Sequence, residues 1–325
     1  MDLSIIIVNY NGLDFLQKCI DSIDKFLHPP YMEAALKFEV IIVDNASTDG
    51  SAVFIKDNFL KSSSGFVKLI ESGENAGFSK ASNLGAKAAL GEYLLFLNPD
   101  TEFVQGGFDG IIAFYRKKSR SGEVGAIGAR IVNDDGSIQY SCRSFPTLSR
   151  QFYESWFLSK VFAKSKVFGS YFMAYWDHKE TRKVDWLSGA FLFLKKETFY
   201  SAGSFNEKYF MYSEDTDLCF MLAKAGCSNY YFRDYTVKHH DAGTAGQDMG
   251  LREAQIWKSR KIYFSKNYSK AHGEAVSFLY FAYVMNRMAL AAVIYAFSPD
   301  RKRKADFRSR VITCKNALVI YFSGA

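Results

Sequence analysis

Asp100 is the residue of this chain with the most pointed chemical setting. An unbroken apolar run, Tyr93–Leu97, reads as a strand covered on both faces, and it stops at Asn98-Pro99-Asp100. Pro99 cannot continue a central strand, so Asp100 falls just past the strand's carboxyl end, the edge at which open α/β sheets bind ligands. A carboxylate fixed there suits holding a divalent cation against a diphosphate; capping the next turn is the plainer job that fits the same residue. Asn9, Asp44 and Asn75 follow other strand-like runs and offer amides and a carboxylate for a base, a ribose or a metal. Glu214, Asp215 and Asp217 put three carboxylates within four residues at a helix start, more than the helix dipole needs. An aspartate there can serve as a general base when a substrate hydroxyl comes within hydrogen-bond reach. His239 and His240, on a loop after the last strand-like run, are of the type that ligates metal or phosphate.

The elements that must position these groups are legible in order. Residues 4–8 are rich in β-branched side chains and end in Asn9-Tyr10-Asn11-Gly12, and Leu13, Leu16, Ile20, Ile23 and Phe26 then fall at helical spacing. After a turn holding Pro29-Pro30, residues 39–43 make a second buried strand that ends at Asp44, and residues 67–70 make a third. The small residues from Gly73 to Gly85 let a ligand approach the backbone before the next helix. With residues 93–97 this is four strand-helix units, which imply a parallel, doubly wound half-sheet with its loops on one edge. No GxGxxG follows the first strand and no GxxxxGK[ST] occurs, which disfavours dinucleotide dehydrogenases and P-loop enzymes. Further on, residues 124–131 and 138–143 read as two strands around the turn Asn133-Asp134-Asp135-Gly136, and residues 184–194 as one buried strand. Residues 209–218 open a helix that Ser213 or Thr216 would cap, and the aromatic stretch 152–176 fits core or lid better than a sugar platform.

At 325 residues, 48% hydrophobic and 17% aromatic, the chain can bury one large core or two modest ones. Its five cysteines show no CxxC spacing, so a reduced compartment and no structural zinc are expected. The amino terminus reads as a strand and not a signal segment, which makes the expected location cytoplasmic. The formal charge of +7 is unevenly placed: residues 251–325 hold 14 Lys and Arg against 4 Asp and Glu. Residues 275–298 are apolar and long enough to span a bilayer, but Asn286-Arg287 interrupts them, where a charge costs roughly 2.5–3.5 kcal/mol. A helix packed on the rest of the protein or lying in the membrane interface is expected. Arg301-Lys302-Arg303-Lys304, Arg308 and Arg310 follow, then a second apolar stretch at 311–322: the pattern of a peripheral membrane protein, or of a helical hairpin or dimer contact.

Taken together and in order, the segments from Ile5 to Gly12, from Val43 to Gly50, Asn75-Ala76-Gly77-Phe78, Leu97-Asn98-Pro99-Asp100, Ser188-Gly189-Ala190, Glu214-Asp215-Thr216-Asp217 and His239 resemble family-2 inverting glycosyltransferases of the GT-A fold. The likeness spans roughly residues 3–265 and is greatest to bacterial rhamnosyltransferase-type and galactofuranosyltransferase-type members. The resemblance implies a Rossmann-like mixed, mostly parallel sheet flanked by helices, over residues 1–267, with a nucleotide-binding half at 1–102, an acceptor-binding half at 103–267 and a basic helical extension at 268–325. It implies that Val8, Asn9, Tyr10, Asp44, Asn75, Gly77, Asn83 and Asn98 line the nucleotide of a UDP- or dTDP-linked sugar. Asp100 and His239 would hold Mg2+ or Mn2+, with Asn98 standing where a strict DxD has its first Asp. Asp215 would be the catalytic base, and Trp186, Ser188, Gly189, Ala190, Glu214 and Asp217 would face or support the acceptor, a glycan or lipid-linked hydroxyl in cell-surface polysaccharide synthesis.

The apolar and polybasic pattern of the tail implies a protein peripheral at the inner face of the cell membrane, with an anionic membrane surface as partner, self-association through the C-terminal helices as an option, and no nucleic acid expected. Two other functions fit parts of the pattern. A sugar nucleotidyltransferase would show a Gly-rich motif with a basic residue after the first strand, and Asn9-Tyr10-Asn11-Gly12 has none. A silent sugar-nucleotide-binding scaffold has no need of both Asp100 and Asp215.

Overall fold

The computed structural model describes residues 1–27, 31, 36–60, 66–240, 249–297 and 301–323, with the side chains of Ile294, Phe297 and residues 301–310 outside the description. The Pro29-Pro30 turn and residues 241–244 beyond the His pair therefore lie outside the described residues. The chain divides into two compact units: Met1–Phe145 with Asp177–Phe210 and Glu214–Gly243, and Pro146–Trp176 with Met211–Ser213 and Thr244–Ala325.

The first unit opens as the apolar pattern predicts: β1 (Leu3–Asn9), α1 (Leu13–Phe26), β2 (Phe38–Asp44), α2 (Ser51–Ile55), β3 (Val67–Glu71), α3 (Gly77–Ala88) and β4 (Tyr93–Leu97). β2 and β4 both pair parallel with β1, and β3 pairs parallel with β2, giving the order 3-2-1-4. Chain order reverses at β1, and the crevice beyond its carboxyl end is where such sheets bind ligands. Every residue of β1 and β4 is buried, so their continuous apolar runs record two covered faces. Leu16, Cys19, Ile20, Ile23 and Phe26 of α1 pack into the same core.

Beyond β4 come β5 (Thr101–Gln105), α4 (Phe108–Ser119), β6 (Val124–Val132) and β7 (Cys142–Arg143), and after the crossing into the second unit β8 (Arg182–Val184), β9 (Trp186–Leu187), β10 (Phe191–Lys195), α7 (Lys196–Ser201), α8 (Glu214–Lys224) and β11 (Ser228–His239). The sheet turns mixed here: β10 lies antiparallel between β4 and β6, and β11 runs parallel to β6 but antiparallel to β5 and β8. Two expectations change. The strand expected at 138–143 is a single bridge, Val132 to Ile138, followed by the short β7, which pairs with β9. The strand expected at 184–194 is broken into β8, β9 and β10, because Ser188-Gly189-Ala190 gives its hydrogen bonds to other partners than a ladder.

The second unit holds α5 (Leu148–Ser155), α6 (Leu158–Val161), α9 (Met249–Asn267), α10 (Lys270–Phe297) and α11 (Arg301–Phe322). It takes in α9 and the aromatic stretch 146–176. Hydrogen bonds explain that division: Ser155 Oγ donates to the Leu279 carbonyl at 3.0 Å, and Asn286 Nδ2 donates to the Ser155 carbonyl at 2.9 Å. Arg260 of α9 pairs with Glu154 of α5 at 2.9 Å, and Arg287 of α10 pairs with Glu253 of α9. The polar pair in the middle of the apolar run is thus turned inward and satisfied. By length and composition Lys270–Val293 is long and apolar enough to cross a membrane.

Candidate active site

All site residues foreseen in the sequence fall in the first unit, and the 3-2-1-4 half brings the first group together. Asn9 at the end of β1 donates through Nδ2 to Asp44 Oδ1 at the end of β2 (3.1 Å) and to Ser47 Oγ (3.1 Å). Asp44 is buried and accepts from the Ser47 amide at 3.0 Å. Asn9 Oδ1 is buried without a partner among the described residues, held where a Cβ at Gly12 would come within 2.6 Å of it. A side chain there would have to displace the Asn9 amide oxygen, and the same position lies against the Pro99 ring, so the loops after β1 and β4 meet. Val8 is at the buried end of β1, whereas the Tyr10 side chain is exposed.

Asn75 forms the far wall. Its Oδ1 accepts from Asn45 Nδ2 at 2.9 Å, while Asn45 Oδ1 accepts from the Ala76 amide and the Ser72 hydroxyl. Gly77 has φ +81°, and a Cβ there would collide with the Phe210 carbonyl, which accepts from the Phe78 amide at 2.7 Å. Its glycine is thus required by backbone crowding. Asn83 clamps the turn before α8, its amide donating to the Phe205 carbonyl and Glu207 and accepting from the Phe205 amide.

The second group assembles around Asp100. β5 pairs with β11 so that His239 sits opposite Thr101, and His239 Nε2 lies 3.2 Å from Asp100 Oδ1. Asn98 Nδ2 reaches the same nitrogen at 3.2 Å. Gln139, which sequence reasoning did not single out, fixes the ring. Its Nε2 donates to the His239 carbonyl at 2.8 Å, so its Oε1 must be the atom facing His239 Nδ1 at 2.9 Å. Nδ1 therefore carries the proton, and in the neutral ring Nε2 presents a lone pair beside the carboxylate. Two ligating atoms side by side, with the ring's far nitrogen held by an acceptor, fit a divalent cation. No cluster of three or more metal-ligating side chains occurs among the described residues, and Asp100 and His239 are the pair there that could hold a cation. His240 stands apart, between Glu102 (2.8 Å) and Asp134 (2.6 Å).

The third group reaches Asp100 through β10. Phe191 pairs with Leu97, the Asn98 amide donates to the Ala190 carbonyl at 3.2 Å, and the Gly189 amide donates to Asp215 Oδ2 at 2.9 Å. The break between β9 and β10 is thus the bridge from the Asn98-Pro99-Asp100 corner to the start of α8. Asp215 Oδ1 accepts from the Thr216 amide at 2.6 Å and its hydroxyl at 3.2 Å. Burial pushes the Asp215 carboxyl above its ordinary range, against the pull of the Gly189 and Thr216 donors and the Arg143 charge. Burial and the neighbouring Asp215 push Glu214 well above its range, and Glu214 Oε2 has no partner among the described residues. Three donors face the Asp215 carboxylate and none among the described residues faces Glu214 Oε2, so a negative charge is better accommodated at Asp215.

Trp186 is buried, donates to the Ser144 carbonyl at 3.0 Å and lies under the Arg143 guanidinium at 5.2 Å. The Ser188 hydroxyl accepts from the Ala190 amide at 3.3 Å. Asp217 is buried, and with burial itself its charge pushes the Tyr209 phenol up, which sets it inside the start of α8. Arg143 and Asn45 had no sequence signal beyond their place beside a motif.

A parallel 3-2-1-4 half joined to a mixed half, with an acidic corner after β4 and a second acid at the start of a later helix, is the GT-A glycosyltransferase arrangement. The profile described as Glycosyl transferase family 2 matches residues 4–178, and the chain belongs to that family. It is 30% identical over 258 residues to the N-acetylglucosaminyl-diphospho-decaprenol L-rhamnosyltransferase of Mycobacterium tuberculosis, covering 76% of this chain and 81% of that protein. Rhamnosyltransferase WbbL of Escherichia coli is 31% identical over 160 residues, 46% of this chain and 54% of that one. Among solved structures, the fold is similar to the mannosyltransferase PcManGT of Pyrobaculum calidifontis in complex with GDP-Man and Mn2+ (TM-score 0.56, 16% identity, 99% of this chain and 88% of that one). It is also similar to GalNAc-T7 with UDP, GalNAc and Mn2+ (TM-score 0.54, 18% identity, 74% and 43%).

Proposed function

We propose that this protein is an inverting glycosyltransferase that moves a sugar, rhamnose foremost, from a UDP- or dTDP-linked donor to a hydroxyl of a glycan or lipid-linked acceptor in cell-surface polysaccharide synthesis. The observation that carries the reading is the continuous path from the Asp100–His239 pair, through the Asn98–Ala190 and Gly189–Asp215 hydrogen bonds, to one buried and activated carboxylate. Asn9, Asp44 and Asn75, with Val8, Tyr10, Gly77 and Asn98 around them, form the nucleotide wall, and Asn9 Oδ1 is the buried acceptor that a base or ribose donor would satisfy. Asp100 and His239 would hold a divalent cation, which when bound would offset the charge developing on the departing diphosphate. Manganese suits a carboxylate with an imidazole better than magnesium does.

Asp215 takes the proton of the acceptor hydroxyl as that oxygen bonds the anomeric carbon and the bond to the diphosphate oxygen breaks. One displacement inverts the anomeric configuration. Glu214 lies beside Asp215 without the donors that Asp215 has, which favours charge on Asp215, and Trp186, Ser188, Gly189 and Ala190 shape the acceptor side, with Asp217 supporting from within. The basic C-terminal region and the lipid-linked acceptor named for the mycobacterial relative support work at the inner face of the membrane as a peripheral protein. Thermal shift against a panel of nucleoside diphosphates and sugar nucleotides, with and without Mn2+, followed by NMR of the product formed from the best donor, tests the reading. Stabilisation by one sugar nucleotide and an inverted anomeric centre support it; a retained configuration overturns it.

A further inference from the structure

The second unit carries an apolar face that its own packing leaves uncovered. On α10 the exposed positions recur at helical spacing: Phe278 (67% exposed), Phe281 (45%), Met285 (44%) and Val293 (54%). No charged residue occurs on α10 between Phe278 and its end other than Arg287, and Arg287 is turned inward to Glu253. The stripe from Phe278 to Ala296 is thus uniformly apolar outward over roughly 27 Å. Its inward face is polar in several places: Asn286 bonds the Ser155 carbonyl, and the Ser277 hydroxyl lies 2.8 Å from the Tyr321 hydroxyl of α11. A helix with one face packed into its own unit through Val276, Tyr280 and Val284 and the other face bare and apolar presents that second face to an interface.

A second exposed group sits on the neighbouring α5 and the segment after it. Phe152 and Trp156 stack at 4.4 Å, both about two-fifths exposed, and Val161 (70%), Phe162 and Val167 follow, interleaved with exposed Lys160, Lys164 and Lys166. Aromatic side chains mixed with lysines suit the headgroup level of a bilayer, where ring and amine each find their medium. Lysine is depleted in the interfaces between protein copies, which weighs against a second chain as the occupant. The excess of 14 basic over 4 acidic residues in 251–325 supplies the attraction for anionic lipid.

We infer that the second unit docks on an anionic bilayer through the outer face of α10 and the Phe152–Trp156 aromatic pair, with α10 lying in the plane of the membrane and not across it. The inference rests on the membrane-side placement proposed above and is independent of the sugar chemistry. The test is co-sedimentation of the full chain with phosphatidylglycerol-containing and with pure phosphatidylcholine vesicles, for the native protein and the pair Phe278→Glu/Phe281→Glu. Sugar-nucleotide thermal shift and light-scattering mass are measured on the same samples. Expected are binding to the anionic vesicles alone and at least a tenfold drop in partitioning for the double variant, with an unchanged nucleotide shift. Unchanged vesicle binding in that variant, or a dimer turned into monomer with vesicle binding unaffected, overturns the inference while leaving the transferase reading standing. On the native protein, Trp fluorescence quenched most by bromines near the headgroup, with release from membranes by alkaline carbonate, supports the in-plane placement; resistance to carbonate extraction means that α10 spans the bilayer and overturns it.

Discussion

Gln139→Leu isolates the support of the proposed metal ligand. Gln139 touches neither Asp100 nor Asn98 in the hydrogen-bond network; it holds His239 by two bonds, 2.8 Å to the main-chain carbonyl and 2.9 Å to Nδ1. Leucine keeps the approximate bulk and removes both. At about 1 kcal/mol net each, the two bonds contribute about 2 kcal/mol, or roughly 30-fold, to holding the ring with Nε2 facing Asp100. That agrees with the range of about 10–100-fold in metal affinity lost when partners of metal ligands are removed. The assay is titration of Mn2+ against protein saturated with the preferred nucleoside diphosphate, followed by loss of the free-Mn2+ EPR signal. The expected result is Mn2+ affinity lowered by roughly 30-fold with nucleotide affinity in EDTA unchanged. Mn2+ affinity within twofold of the native protein, or an equal loss of nucleotide affinity in EDTA, refutes the role assigned to the Gln139 clamp.

Three other variants test separate parts of the account. Because the Glu214 carboxyl is raised in the folded protein, its contribution to stability is full at low pH and is lost as pH rises through the folded value, so Glu214→Gln should match the native Tm near pH 5 and exceed it near pH 9; a difference that shrinks with rising pH contradicts the burial argument. Asn83→Ala removes three hydrogen bonds to the Phe205–Glu207 turn and should lower stability by about 2 kcal/mol with nucleotide affinity within twofold of native, as read by denaturant unfolding and calorimetry. A large loss of affinity at unchanged stability would return Asn83 to the nucleotide. Arg287→Met leaves Glu253 buried without its partner and should cost about 3 kcal/mol, most of it recovered in Arg287→Met/Glu253→Gln; equal unfolding midpoints for the single and double variants contradict the pairing.

The first half of the fold was legible because its signals are local. Buried strands such as β1 and β4 are unbroken apolar runs, each ending in a turn residue that also carries chemistry, so strand, edge and candidate ligand were read from one pattern. The second half was read less well for physical reasons. Ser188-Gly189-Ala190 looks like mid-strand sequence, and what breaks it is a hydrogen bond to Asp215, 26 residues later in the chain. Asn83 carries the same amide as Asn75, and its bonds to the Phe205 turn, 122 residues away in the chain, have no local signal in the sequence. Gln139 lies in a polar turn with no periodicity, and its part appears only when β11 delivers His239 to it. Arg287 looked like a penalty within an apolar helix until Glu253 supplied an inward partner.

The central claim is that Asp215 removes the acceptor proton opposite the Asp100–His239 corner. Asp215→Asn keeps the shape of the side chain, and its single Oδ1 still accepts from either Thr216 or Gly189, but the basic carboxylate is gone. Initial rates of sugar transfer, measured with donor and acceptor saturating and beside the donor's dissociation constant, test the claim directly. The account predicts a fall in kcat of at least about 100-fold with donor affinity essentially unchanged. Transfer at the native rate in that variant contradicts it.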